Sequence, residues 1–156
     1  MPETLSILQT DSHDITARET GLTGERLAAE FVVESGGRLV LANFKTPIGR
    51  NSKGVQVSGE IDLVVFDRDI LCFVEVKTRR SKNFGGPLSA VDLRKQRQIT
   101  RTARIYRKIF HLNDIDYRFD VVTVLLENNR EPVLEWIKGF WNEQKFRKKA
   151  WTGEIW

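Results

Sequence analysis

Two apolar segments separated by a short polar spacer constrain the fold of this chain most strongly. The segments are residues 59–66 (GEIDLVVF) and 70–77 (ILCFVEVK), and the spacer is residues 67–69 (DRD). Apolar runs of this length on either side of so short a turn are typical of a β-hairpin. Apolar residues occupy both odd and even positions of each run. Both faces of these strands should therefore be covered by other parts of the protein.

The rest of the chain carries two helical patterns and three further strand patterns. They predict an α/β domain with the element order α-β-β-β-α-β-β over residues 16–137, a flexible N-terminus at 1–15 and a basic, aromatic C-terminal tail at 138–156. Outside the hairpin, the predicted elements are a helix at 16–35, a strand at 38–44, a loop at 45–58, a helix at 88–110, and strands at 117–126 and 133–137.

The hairpin brings two carboxylates together. Side chains two positions apart on a strand share a face, so Glu75 lies on the same face as Lys77, and Glu60 on the same face as Asp62. A turn of two or four residues places Asp62 directly opposite Glu75, and Glu60 opposite Lys77. A turn of three residues would put the two acids on opposite faces of the sheet.

A pair of facing acids needs a physical reason. Cβ atoms of direct cross-strand neighbours lie about 4.5–5.5 Å apart, and like charges at that separation destabilise a hairpin. A divalent cation between Asp62 and Glu75 turns the repulsion into attraction, and hard cations such as Mg²⁺ or Mn²⁺ select carboxylate oxygens. The alternative is that both acids sit at solvated strand ends. Their apolar neighbours argue against it, because buried acids need a compensating partner.

Positive charge is concentrated in one part of the chain. The whole sequence has a net charge of only +4, but residues 79–108 hold ten Lys or Arg and a single acid, Asp92. Such a one-sided segment favours a polyanionic partner, of which nucleic acid is the commonest. The alternative is a solvated helix face next to a basic loop.

The pattern Asp62…Glu75-x-Lys77 is accompanied by other recognisable segments. These are GLTGERLAAEF (21–31), NF (43–44), GEIDLVV (59–65), FVEVKTRRS (73–81), FGGP (84–87), AV (90–91), KQR (95–97) and RFDVV (118–122). Together they resemble the YraN-like family of small bacterial proteins, within the PD-(D/E)xK nuclease superfamily. The usual proline before the aspartate is replaced here by Ile61. The Gln-x-x-x-Tyr motif of some relatives is not met.

The resemblance implies a restriction-endonuclease-like core, similar to that of archaeal Holliday-junction resolvases. In such a core a mixed β-sheet flanked by helices carries a metal site at its edge. The implied catalytic residues are Asp62, Glu75 and Lys77. Glu25 in GLTGE matches a first-helix glutamate that often completes the site, although it is also explained as an acid favourable to the helix dipole.

The resulting hypothesis is hydrolysis of phosphodiester bonds in DNA, branched or single-stranded, with Mg²⁺ or Mn²⁺ as cofactor. Asp62, Glu75 and the Val76 carbonyl would bind the ion, and Lys77 would orient water or stabilise negative charge. The alternative is a non-catalytic nucleic-acid-binding module of the same fold that acts with a protein partner. The residues expected to contact nucleic acid are Arg79, Arg80, Lys82, Arg94, Lys95, Gln96 and Arg97.

Other features of the sequence indicate the cellular compartment. Cys72 is the single cysteine, so the chain forms no internal disulfide, and no secretion signal or membrane span is evident. These features predict a cytoplasmic protein, and the sequence allows a homodimer. Asp120 is expected to form a salt bridge with Arg118 or to support the sheet edge.

Overall fold

The computed structural model describes residues 17–80 and 91–146 and contains two long helices and five strands. Their order, α-β-β-β-α-β-β, is the predicted one. The predictions for residues 1–15, Lys82 and residues 147–156 lie outside the described residues. The elements are α1 (Ala17–Glu34), β1 (Arg38–Arg50), β2 (Gln56–Asp67), β3 (Ile70–Arg79), α2 (Leu93–Ile109), β4 (Tyr117–Leu125), β5 (Val133–Trp141) and a short 3₁₀ helix (Glu143–Phe146).

The five strands form one mixed sheet in the order β1-β2-β3-β4-β5. Strands β3 and β4 are parallel because α2 crosses over between them, and the other neighbours are antiparallel. Ala28 and Val32 of α1 pack on one face of the sheet, and Ile99 and Ala103 of α2 pack on the other. The prediction that the central hairpin is covered on both faces is therefore confirmed.

The predicted loop over residues 45–58 is wrong. Strand β1 continues to Arg50 and β2 begins at Gln56, so the two strands form a long hairpin. Turn-forming residues are accommodated because the register shifts between Pro47 and Gly49, and Gly49 has a φ of 137°. We call residues 44–61 the β1–β2 arm. It is held on α2 by Arg101, which donates to the Ile48 carbonyl, and by Gln98, which donates to the Ser58 carbonyl at 3.0 Å.

Two other boundaries differ from the prediction. Helix α2 begins at Leu93 rather than Leu88, because Asp92 is its N-cap and accepts a hydrogen bond from the Lys95 N–H at 2.8 Å. Strand β5 extends beyond residue 137 to Trp141. No helix in the described part of the chain is long and apolar enough to cross a membrane.

A fully buried carboxylate, that of Asp120, links strands β4 and β5. Asp120 accepts two hydrogen bonds from Arg118, at 2.7 and 2.9 Å, one from the Trp136 indole at 2.9 Å and one from the Gly139 N–H at 2.8 Å. Arg118 also donates to Asp67 at 2.9 Å. The predicted salt bridge between Arg118 and Asp120 is confirmed, and with Asp67 it joins β4, β5 and the turn between β2 and β3. Strand β4 lies between β3 and β5, so the alternative prediction, that Asp120 supports a sheet edge, is wrong.

Candidate metal and nucleic-acid site

The hairpin between β2 and β3 has the predicted register, from Asp67 opposite Ile70 to Leu63 opposite Val74. At that point the ladder between the two strands ends. The next residue of β2, Asp62, accepts a hydrogen bond from the Val76 N–H through Oδ2 at 2.8 Å. A side-chain oxygen therefore takes the place of a backbone carbonyl, and the strands separate beside Glu75. Glu60, which was expected opposite Lys77, pairs instead with Lys45 of β1 at 3.9 Å.

Glu75 is buried in this gap, with 4% of the residue exposed. Its Oε1 lies 3.5 Å from the Lys77 ammonium and 3.8 Å from the Lys95 ammonium. Its Oε2 is buried and has no hydrogen-bond partner among the described residues. Burial, and then the negative charge of Asp62, raises the pKa of Glu75 against the opposing effect of the two lysines.

Glu25 approaches the same place from α1. It lines a cavity of about 470 Å³ together with Val76, Lys77 and Arg80. Its pKa is raised by burial, then by the charges of Asp62 and Glu60, against the opposing effect of Lys45. The helix therefore adds a third carboxylate, on which the negative charge of Asp62 acts.

The oxygen atoms in this gap fit a hard divalent cation. Carboxylates of Asp62 and Glu75 supply two donors, and the unpartnered Glu75 Oε2 is an acceptor that a cation would satisfy. In an extended strand the N–H and C=O of one residue point to the same side. The Val76 carbonyl therefore points to the side from which Asp62 binds the Val76 N–H. Within residues 17–80 and 91–146, no group of three or more His, Cys, Asp or Glu residues could hold a metal ion. Water and substrate oxygens would complete the shell, as is usual for Mg²⁺.

Cation binding should appear as thermal stabilisation. We expect saturating Ca²⁺ or Mn²⁺ to raise the melting temperature of the wild-type protein by several degrees, because the ion binds the folded state alone. Glu75→Gln should abolish that increase. The variant should be at least as stable as the wild type in chelator, because it removes a buried carboxyl group that has an unpaired oxygen. Differential scanning fluorimetry with and without EDTA measures both effects, and an unchanged metal response in the variant would contradict the assignment of Glu75 as a ligand.

A glycine permits the close approach of α1 to the site. A Cβ atom at Gly24 would overlap the hydroxyl of Thr78 and lie 2.8 Å from its Cβ, both on β3. Thr78 follows Lys77 directly, so Gly24 lets α1, which carries Glu25, pack closely against the strand that carries Lys77.

Substitution of Gly24 tests that contact. Gly24→Ala should cost about 1–3 kcal/mol through overpacking. Gly21→Ala, on the same helix with nothing within 4 Å, should instead stabilise the protein by roughly 0.5–1 kcal/mol through helix propensity. Urea denaturation of both variants provides the comparison, and equal effects of the two substitutions would refute the proposed role of Gly24.

The predicted nucleic-acid-binding residues fall into two groups around the acids. Arg79 and Arg80 lie at the end of β3, where Arg80 donates to Thr20 of α1 at 3.0 Å. Arg94 and Arg97 are exposed on the first turns of α2. A cavity of about 500 Å³ between α2 and the β1–β2 arm lies next to the site. Its lining residues are Ile48, Val57, Asp92, Arg94, Lys95, Arg97, Gln98 and Arg101.

Gln96 has a different setting from its neighbours. It is buried, its amide donates to the Val91 carbonyl at 2.9 Å, and its Oε1 accepts from Lys145 at 3.2 Å. These contacts hold the start of α2 in place. They direct the Gln96 side-chain amide towards the protein. Its predicted contact with nucleic acid stays a prediction.

Sequence reasoning missed two features of the site. The first is the contact between Lys95 and Glu75, because it depends on where α2 crosses the sheet. The second is the basic wall that Arg101 forms with the β1–β2 arm. Phe44 and Ile48 are the only large apolar residues in the first half of the arm, and they offered only a weak strand signal.

Comparison with known proteins gives a consistent family assignment. A family model described as uncharacterised protein family UPF0102 matches residues 24–124, a range that includes Glu25, Asp62, Glu75, Lys77 and Lys95. The UPF0102 protein of Acetivibrio thermocellus is 37% identical over 116 residues, which cover 74% of this chain and 82% of the relative. Those of Solibacter usitatus and Trichlorobacter lovleyi are 40% and 42% identical, over 76% and 75% of this chain and 83% and 85% of their own lengths.

Proposed function

This chain belongs to the uncharacterised protein family UPF0102, as its resemblance to the YraN-like proteins predicts, and we propose that it is a metal-dependent nuclease acting on DNA. One observation carries the proposal. A buried glutamate with an unpartnered oxygen lies at the gap where the Asp62 carboxylate meets β3, and two lysines approach its other oxygen. Buried oxygens of structural carboxylates are in most cases hydrogen-bonded, so the unpartnered oxygen favours a ligand-binding role.

Asp62, Glu75 and the Val76 carbonyl would hold the ion. A divalent cation bound there would polarise a phosphate and lower the pKa of a bound water. The Lys77 ammonium, 3.5 Å from Glu75, would orient the attacking water or stabilise charge that develops on the phosphate. Glu25, which lines a cavity with Val76 and Lys77, would hold a second ion or a metal-bound water.

The surrounding cations suit a phosphate backbone rather than a base sequence. Arg79 and Arg80 follow Lys77 along the chain, and Arg94 and Arg97 line a cavity with Lys95. Contacts of arginines with phosphates position a nucleic acid without reading its sequence. We therefore propose that the substrate is selected by its structure, as in a branch or a single-stranded segment.

A substrate panel tests the activity. We expect Mn²⁺-dependent cleavage of at least one DNA among single strands, flaps, forks, four-way junctions and duplexes, and no cleavage in EDTA. RNA substrates with the same structures show whether the protein acts on DNA or on RNA. If the protein binds these nucleic acids but cleaves none of them, and EDTA does not change the binding, the proposal is contradicted. That result would favour the non-catalytic module.

The salt dependence of DNA binding should identify residues that contact phosphates. Arg94→Glu and Arg97→Glu should each weaken DNA binding and reduce the slope of log affinity against log salt by about one, because each removes one phosphate contact. Arg68→Glu, in the exposed turn at the other end of β2 and β3, makes the same charge change away from the site. Fluorescence anisotropy across a salt series measures the slopes. Three equal slopes would show that net charge alone is responsible.

A further inference from the structure

Two lysines from different elements compete for one carboxylate oxygen. Lys77 of β3 and Lys95 of α2 approach Glu75 Oε1 at 3.5 and 3.8 Å. Lys77 follows Glu75 by two residues on the same strand, so its position is a consequence of strand geometry. The position of Lys95 next to Glu75 does not follow from local strand geometry. It depends on where α2 packs against the sheet.

The start of α2 is fixed by several contacts that direct Lys95 towards the site. Asp92 caps the helix through the Lys95 N–H, and the next residue, Gln96, is bonded to Val91 and Lys145. The Lys95 side chain is 32% exposed, so it is neither free in solvent nor enclosed. It can stay with Glu75 or turn towards the basic cavity that it also lines.

We propose that Lys95 is an exchangeable counter-ion. It neutralises Glu75 in the absence of a divalent cation, and it moves to a phosphate of the nucleic acid when a cation takes its place. The proposal rests on the metal-dependent nuclease function and adds a role that Lys77 does not have.

Charge balance supports the exchange. When a divalent cation is bound, Asp62 and Glu75 are both ionised and the cation neutralises their two negative charges, so both lysines then lack an acid partner. A substrate phosphate supplies the missing negative charge. Because the two sites share Lys95, cation binding and phosphate binding at Lys95 must strengthen each other.

The exchange predicts opposite effects of one substitution on two ligands. Lys95→Met should tighten the binding of Ca²⁺ alone by about three- to tenfold, because the cation no longer displaces an ammonium. The same variant should weaken DNA binding several-fold in Ca²⁺ and leave it unchanged in EDTA, where Lys95 is held by Glu75.

Arg94→Met is the matched control, because it removes one positive charge from the neighbouring helix position without touching Glu75. It should leave Ca²⁺ affinity unchanged and weaken DNA binding equally in Ca²⁺ and in EDTA. Lys95→Arg, which keeps the charge, should bind Ca²⁺ within about twofold of wild type. Isothermal titration calorimetry with Ca²⁺ and anisotropy with an uncleaved DNA provide the readouts.

The outcomes separate this inference from the function on which it rests. If wild type binds Ca²⁺ through Asp62 but Lys95→Met behaves like Arg94→Met, the exchange is wrong and the nuclease site stands. If wild type binds no divalent cation, both proposals fall. Tighter Ca²⁺ binding together with a Ca²⁺-specific loss of DNA affinity in Lys95→Met supports the exchange.

Discussion

Asp62→Asn should reduce DNA cleavage by roughly a thousandfold or more, because it removes one of two charged donors for the proposed cation, and a thousandfold corresponds to about 4 kcal/mol of transition-state free energy. Asparagine keeps a side-chain carbonyl that can accept the hydrogen bond from the Val76 N–H. The separation of β2 from β3 should therefore be preserved. Single-turnover cleavage with Mn²⁺, on the substrate that the panel identifies, measures the loss.

Binding data distinguish a catalytic defect from a folding defect. The variant should bind DNA in EDTA as tightly as wild type and should melt at a similar temperature in chelator. It should no longer be stabilised by Ca²⁺. Cleavage within tenfold of wild type would rule out Asp62 as a metal ligand and remove the basis of the proposed mechanism.

Asp120→Ala should destabilise the protein by about 3–5 kcal/mol, because it leaves buried donors and part of a buried ion pair without an acceptor. The affected groups are the Arg118 guanidinium, the Trp136 indole and the Gly139 N–H. Arg118 keeps Asp67 as a second partner, which is why we do not expect complete unfolding. Urea denaturation measures the change in the free energy of unfolding.

A neighbouring ion pair provides the control for Asp120. Lys138 pairs with Asp67 at 2.9 Å, but 48% of the lysine side chain is exposed. Lys138→Ala should cost less than about 1 kcal/mol, as is usual for exposed pairs. A loss of under 1 kcal/mol for Asp120→Ala would mean that the buried network adds little to stability.

The register of the hairpin was predictable because it depends on two local properties. Side chains alternate along a strand, and the turn at residues 67–69 fixes which residues of β2 and β3 face each other. The end of the ladder at Leu63 and Val74 was not predictable in the same way. It arises because the Asp62 carboxylate competes successfully with a backbone carbonyl for the Val76 N–H.

The β1–β2 arm was missed for a related reason. Proline and glycine between residues 45 and 58 are ordinary loop signals, and a residue count cannot separate a loop from a strand with register shifts. Contacts with α2 decide the outcome: Ile48 is buried, and Arg101 and Gln98 bond the arm's carbonyls. The approach of Lys95 to Glu75 likewise depends on packing between elements distant in sequence.

Strand β1 lies at one edge of the sheet, runs for 13 residues and exposes Leu39, Val40 and Leu41. A regular edge of that length would present a row of unused amides and carbonyls to which further chains could add, in the manner of amyloid growth. The register shifts near Leu39 and Pro47 interrupt the row, and Pro47 has no N–H to donate. The irregularity at Pro47–Gly49, which hides the second half of β1 in the sequence, therefore also makes this edge a poorer template for the addition of further chains.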